Sequence, residues 1–241
     1  MRPARLSVVL VAHGSRDPRA AQATSDLTAA VAAAHPEWEV HASYLDHAGP
    51  RPLEVMRWLR TAGHRRVVVV PLLLTAAYHG KVDVPAVVAE ARSELGIEVR
   101  LADVLGPVSD LLVAGLVRRL PAASFDAAVL IAAGTRDAAA RDTVVAAASA
   151  LGVRLGVPCT VAYASAAPPR AAEAVASFGS AARVAVASYF LAPGLLYDNA
   201  VASALDAGAV AVAPPLTDAP EVVALVAHRV RSALGRRLVA A

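Results

Sequence analysis

Cysteine occurs once in this 241-residue chain, at position 159, which rules out an intramolecular disulfide, a Cys-x-x-Cys redox pair and a cysteine-ligated iron–sulfur cluster. Cys159 falls inside an expected strand and reads as a small buried apolar side chain. Aromatic residues are only 4% against 57% hydrophobic overall, so the core must be aliphatic, built largely from alanine and valine. Lysine is missing except at Lys81, and the net charge of +3 comes with no dense basic run interleaved with aromatics, which argues against a nucleic-acid partner. No apolar run reaches the roughly 18 residues of a membrane helix, because Pro71, His79, Asp83 and Asp110 break the longest stretches. The opening Met1 to Arg5 before Leu6 to Ala12 imitates a secretion signal, yet it leads into His13-Gly14-Ser15-Arg16 and not into a small-residue cleavage site, so Leu6 to Ala12 reads as a first buried strand. A cytoplasmic protein without membrane contact is expected.

What the chain does have is an internal repeat. His13-Gly14-Ser15-Arg16-Asp17 returns as Ala133-Gly134-Thr135-Arg136-Asp137, keeping the glycine, hydroxyl, arginine and aspartate but losing the histidine. Val67 to Leu74 can be laid on Val184 to Leu191, and continuing without a gap sets His79 opposite Leu196. Both histidines are thus confined to the first half, the pattern left when one site survives a duplication and the other becomes scaffold. A repeat of about half the length favours two domains, each with its own core. Residues 1–121 should form an N-terminal lobe carrying the histidines, and residues 122–241 a degenerate second lobe, joined near Pro121 to Ser124.

Apolar, β-branched runs at Leu6–Ala12, Val40–Leu45, Val67–Leu74 and Ile97–Leu101 alternate with helical patterns at Arg19–Ala34, Pro52–Ala62, Val84–Leu95 and Pro107–Leu120. The second half repeats this with strands at Ala127–Ala132, Pro158–Tyr163, Val184–Tyr189 and Ala209–Ala213, and helices at Asp137–Leu151, Arg170–Phe178, Leu195–Leu205 and Pro220–Leu234. Strands apolar on both faces and separated by helices predict an α/β fold of two similar Rossmann-like lobes, each a four-stranded parallel sheet flanked by helices. Such proteins bind ligands outside the carboxyl ends of their strands, so the cleft between lobes is the expected site. His13 and His79 both follow strands, the first and the third.

Gly14 should permit a tight turn and Ser15 or Asp17 should cap the next helix, with Arg16 and Asp17 forming a local ion pair; because the second half keeps these residues, they read as backbone machinery. His13, absent from the sister turn, needs a chemical explanation. Gly80-Lys81 suggests a phosphate loop, but Val82 stands where Ser or Thr is required and Thr75 where the first glycine belongs. Two neutral imidazoles with open positions suit divalent iron, cobalt, nickel or zinc held loosely enough to be released, whereas a closed structural site needs about four ligands. A further ligand or base is expected at Asp46, which lies opposite Ser165 if Tyr44 is aligned with Tyr163; His47 beside it reads as a solvated loop residue. His35, His41, His64 and His228 read as surface residues.

The His13 to Pro18 opening and the Pro71 to Pro85 segment together resemble the sirohydrochlorin chelatases, the small class II tetrapyrrole metal chelatases, across nearly the whole chain as two fused halves. That resemblance implies a lyase that inserts ferrous iron or cobalt into sirohydrochlorin without ATP, in siroheme or cobalamin biosynthesis. It implies His13 and His79 as the metal-handling pair and an acidic catalytic residue, commonly glutamate in the family, at the Asp46 position. Ser15, Arg16 and Lys81 are then candidates to bind the macrocycle carboxylates. No permanently bound cofactor is expected; Fe²⁺ or Co²⁺ is a substrate, sirohydrochlorin the other partner, and the chain is expected to act as a monomer. The competing readings are a metal or tetrapyrrole carrier without turnover, and a phosphate-handling α/β hydrolase that uses the Gly14 to Arg16 turn as an anion nest.

Overall fold

The computed structural model describes residues 5–75 and 79–235, with the side chains of His79 and Lys81 outside the described part. Eight strands and eight helices alternate through it: β1 (Leu6–Ala12), α1 (Pro18–Ala34), β2 (Trp38–Tyr44), α2 (Pro52–Thr61), β3 (Arg66–Pro71), α3 (Val84–Leu95), β4 (Glu98–Leu101), α4 (Asp110–Arg119), β5 (Ala127–Ala132), α5 (Ala138–Leu155), β6 (Cys159–Tyr163), α6 (Ala171–Ala176), β7 (Val184–Tyr189), α7 (Leu195–Asp206), β8 (Ala211–Val212) and α8 (Pro220–Gly235). All strand pairs are parallel, and the two four-stranded sheets run β2-β1-β3-β4 and β6-β5-β7-β8. The expected fold class is therefore present, with the same strand order in both sheets. Among the described residues no helix is long and apolar enough to cross a membrane.

Valine builds the first sheet because it fits a pleated strand covered on both sides. Val8, Val9, Leu10 and Val11 of β1 and Val67 to Val70 of β3 are almost wholly buried. One set, Val9, Val11, Val67 and Val69, packs with Val55, Met56 and Leu59 of α2 and Val84, Val88 and Ala91 of α3. Each such side chain contributes about 1.5–3 kcal/mol by leaving water. In the second sheet the corresponding face is alanine-rich: Ala127, Val129 and Ile131 of β5 and Val184 and Val186 of β7 meet Ala171, Ala174 and Val175 of α6 and Ala200 and Ala204 of α7.

Helix limits follow their capping chemistry. Asp17 and Asp137 cap α1 and α5 through their carboxylates, Ser109 caps α4 by accepting from the Leu112 N–H, and Gly96 and Gly156 close α3 and α5 in the left-handed region. Some limits differ from the sequence reading. α4 starts at Asp110 and not at Pro107, because the Ser109 cap sets its first turn; α5 runs four residues beyond Leu151, to the Gly156 cap; β3 ends at Pro71 and not at Leu74; β8 keeps only two residues of ladder. Between β3 and α3 the residues His79–Asp83 form a π-helical turn.

Contacts divide the chain into two compact units, but not at the repeat boundary near residue 121. Residues up to Leu105 group with those from Val223 onward, and Gly106–Val222 form the other unit. α4, the last helix of the first repeat, packs on α5 and β7. α8 is tied to the first unit through Arg229, which donates to the Val104 and Leu105 carbonyls, and through Arg100 of β4, which donates to the Ala233 and Leu234 carbonyls at the helix end. The physical reason is topological. A helix between two strands of one sheet must return the chain to that sheet, whereas α4 and α8 each follow the last strand of a repeat and are under no such constraint.

Candidate metal-handling site

In the first sheet β1 leads through α1 to β2 on one side, while β3 and β4 continue on the other, so the direction of strand order reverses between β1 and β3. Ligands in parallel α/β sheets collect at the carboxyl ends of the strands flanking such a reversal. His13 follows β1 directly, and His79 is reached from β3. Asp46 and His47 follow β2, the neighbour of β1 on its other side.

The turn after β1 is fixed by one close approach. Gly14 has φ +93°, and a Cβ there would stand 1.8 Å from the carbonyl oxygen of Asp46, so only glycine lets the β1 and β2 loops meet. The Asp46 N–H donates to the His13 carbonyl at 2.8 Å and the Leu45 N–H to that of Ala12 at 3.0 Å, prolonging the pairing of the two strands beyond the sheet. In the second unit Gly134 also has φ +93°, its Cβ would lie 2.0 Å from the Ser165 carbonyl oxygen, and the Ser165 N–H donates to the Ala133 carbonyl at 2.9 Å. Ala12 pairs with Tyr44 and Ala132 with Tyr163, which sets Asp46 opposite Ser165 in three dimensions as in the sequence alignment. One backbone device thus serves both units, and only the first dresses it with an imidazole and a carboxylate.

The Nδ1 of His13 lies 3.0 Å from the Gly14 carbonyl oxygen. A carbonyl only accepts, so in the neutral form of the ring the proton sits on Nδ1. Ser15 Oγ accepts from the Asp17 N–H at 3.0 Å, as Thr135 Oγ1 does from the Asp137 N–H at 3.1 Å, so this hydroxyl builds the turn in both units. The expected Arg16–Asp17 ion pair does not form. Asp17 instead takes the guanidinium and backbone N–H of Arg19, and the side-chain bond from Arg19 holds its carboxyl below the usual range. Two residues along a helix start place Arg19 over its own cap, while Arg16 is exposed and makes no hydrogen bond or ion pair with the described residues. His79 opens the π-helical turn and Lys81 lies within it; Gly80 between them sits close enough to Val104 and Leu73 that a Cβ would meet Val104 at 3.1 Å.

Asp46 projects from the β2 end. Its Oδ1 accepts from the His47 N–H at 2.8 Å, Arg51 Nη2 stands 3.7 Å from Oδ1, and His47 Nε2 lies 3.5 Å from Oδ2. The His47 N–H, and after it the electrostatic influence of His47, Arg51 and His13, keep this carboxyl below its ordinary value despite some opposing desolvation. Arg51 also donates to the Leu45 carbonyl, and its own N–H binds the Glu54 carboxylate at 2.7 Å at the start of α2. The His13 and His47 ring centroids lie 6.3 Å apart. Neither Arg51 nor the position of His47 emerges from strand periodicity; the signal that would have found Arg51 is the repeat itself, in which Arg170 and Glu173 make the same backbone-to-carboxylate bond.

The remaining histidines differ partly from their expected surface role. His228 is exposed, but His41 and His64 are half-buried and share Glu39, their Nε2 atoms lying 3.1 and 3.2 Å from its two oxygens, while His64 Nδ1 meets the Ser7 hydroxyl at 2.7 Å. His35 stacks on Trp38 with ring centroids 4.0 Å apart. His35, His41 and His64 are thus held by structural partners around β2 and the start of β3. Burial pushes the Cys159 thiol up to about 12, so it is inert at neutral pH.

The CbiX family model matches this chain twice, over residues 7–123 and 127–233. SirB from Bacillus subtilis with Fe³⁺ superposes with a TM-score of 0.81 at 21% identity, covering 96% of each chain. SirB from Bacillus subtilis subspecies spizizenii in complex with cobalt gives 0.77 at 24% identity, covering 95% of each. At these identities the superpositions speak for the fold alone. A sirohydrochlorin cobaltochelatase of Methanococcoides burtonii is 24% identical over 83 residues, spanning 34% of this chain and 63% of that protein's length. Matched once in each half by the same family model, and built on the same fold, the chain belongs to the CbiX family of class II tetrapyrrole chelatases.

Proposed function

We propose that this protein inserts a divalent metal ion, ferrous iron or cobalt, into sirohydrochlorin without a nucleotide, acting in the cytoplasm as a monomer. The observation that carries this reading is the His13 turn: a backbone shared by both units, furnished only in the first with a histidine, whose ring is oriented by the Gly14 carbonyl at Nδ1. His79, reached from the neighbouring strand, is the second metal-handling residue. Two imidazole ligands hold a borderline metal without closing its coordination, so the ion remains transferable to four ring nitrogens. The cobalt and iron in the relatives' structures belong to those proteins and support the same metal class here.

Metal insertion releases two protons from the macrocycle, one to an imidazole freed of its metal and the other to solvent water. Asp46, held ionised by its N–H donor and neighbouring side chains, is a weak base but a persistent negative charge. In this reading it attracts the incoming cation and balances the imidazolium formed when a histidine that has surrendered its metal takes up a proton. Arg16, exposed beside His13 without a partner among the described residues, would bind a macrocycle carboxylate, with Lys81 and the Ser15 hydroxyl as further contacts.

The test is anoxic conversion of sirohydrochlorin followed by its absorbance, with Fe²⁺ and Co²⁺ compared at equal concentration. Wild-type protein should accelerate insertion of at least one metal, and His13→Ala should remove that acceleration while retaining the fold, because Ala133 already occupies the equivalent turn. Full activity in folded His13→Ala would overturn the assignment. Binding of the macrocycle with no acceleration by the wild type would make the protein a carrier.

A further inference from the structure

The comparison between units extends to a residue that the proposed mechanism leaves out. His47 has φ 60°, in the left-handed region, and Ala166 at the equivalent place in the second unit has φ 63°. The fold therefore imposes this backbone conformation whatever the side chain, and the imidazole of His47 is an addition to it. All three chemically capable groups at this edge, His13, Asp46 and His47, are replaced in the second unit by Ala133, Ser165 and Ala166. A loop histidine with only a structural role would not be expected to disappear together with the other two.

We propose that His47 is a third metal-handling residue, which with His13 receives the incoming divalent ion before it is passed on. The two ring centroids stand 6.3 Å apart with the planes at 33°, and the His47 side chain is about a third exposed, open to an ion from solution. The Asp46 carboxylate, 3.5 Å from His47 Nε2, adds negative charge at the same point. His41 and His64 lie elsewhere, sharing Glu39 near the start of β2. Among the described residues no three His, Cys, Asp or Glu side chains form a ready cage, so the His13–His47 pair would share its ion with water. That suits reception of a labile ion and not storage. The inference rests on the reading of His13 as a metal-handling residue.

The test is titration of Co²⁺ alone, followed by its visible absorption, into wild type, His13→Ala, His47→Ala and His47→Asn, each checked by thermal unfolding. Alanine copies Ala166, and asparagine tolerates the left-handed backbone, so at least one His47 variant should remain folded. Both should bind Co²⁺ about tenfold more weakly or worse. In chelation assays the KM for metal should rise while that for sirohydrochlorin stays unchanged, a split that general loosening of the loop would not produce. Wild-type Co²⁺ affinity in a folded His47 variant overturns the proposal, and if His13→Ala still loses metal the function proposed above survives that result. No Co²⁺ binding by wild type, or loss of metal only in step with loss of folding in both His47 variants, also overturns it.

Discussion

At Gly14 the geometry allows a separation of scaffold from chemistry. An added Cβ would clash with the Asp46 carbonyl on a backbone already in the left-handed region, and Gly134 meets the same obstacle at Ser165. Gly14→Ala and Gly134→Ala should therefore each destabilise the protein by about 3 kcal/mol or more, read by urea unfolding, although only the first lies beside the histidines. A mild effect at Gly134 would show that the two turns are not equivalent. Asp46 offers a pH test. Its folded carboxyl lies below the ordinary value of 3.8, so its contribution to stability is present above that value and is lost as pH falls through the lower folded one. Carboxyl-carbon NMR should place its midpoint below 3.8, and Arg51→Ala and His47→Ala should each raise it. His13 was legible in the sequence because the repeat supplied an internal control. His47 was not, because the sign of φ in a loop leaves no trace in hydrophobic periodicity.

The strands and most helices could be read from the sequence, since valine-rich runs and capping residues act locally: Asp17, Asp137, Gly96 and Gly156 stand where the helices begin or end. The partners of α4 and α8 were hidden, because an amphipathic terminal helix fits either sheet and only packing decides. Arg229 reports that packing. Its loss leaves the Val104 and Leu105 carbonyls without their charged donor, so Arg229→Ala should cost about 1.5–3 kcal/mol, whereas His228→Ala, exposed on the same helix, should stay within about 0.5 kcal/mol. Equal effects at the two positions would mean that the Arg229 hydrogen bonds do not hold α8 in place. The π-helical turn at His79–Asp83 was also invisible in the sequence: the sister segment enters α7 directly at Leu195, with Leu196 exposed where the first half has His79.

For the whole molecule, the repeat and the compact unit are different objects. The family model recognises residues 7–123 and 127–233, while the contacts gather residues up to Leu105 with those from Val223 onward. A fragment cut at residue 121 should consequently fold poorly as a monomer, since it keeps α4 without the elements that α4 packs against and lacks α8; residues 5–105 joined by a flexible linker to 223–235 should fold better, as judged by amide exchange. The same division sets an order of events during synthesis. Gly106–Val222 is continuous, so its sheet and helices are all available once Val222 has emerged, whereas the unit that bears His13 also needs the residues of α8 from Val223 onward. On a ribosome stalled after Val222, Gly106–Val222 should already resist protease while the unit with the histidines is still cut, so that the scaffold half of the repeat takes shape before the half that the proposed chemistry needs.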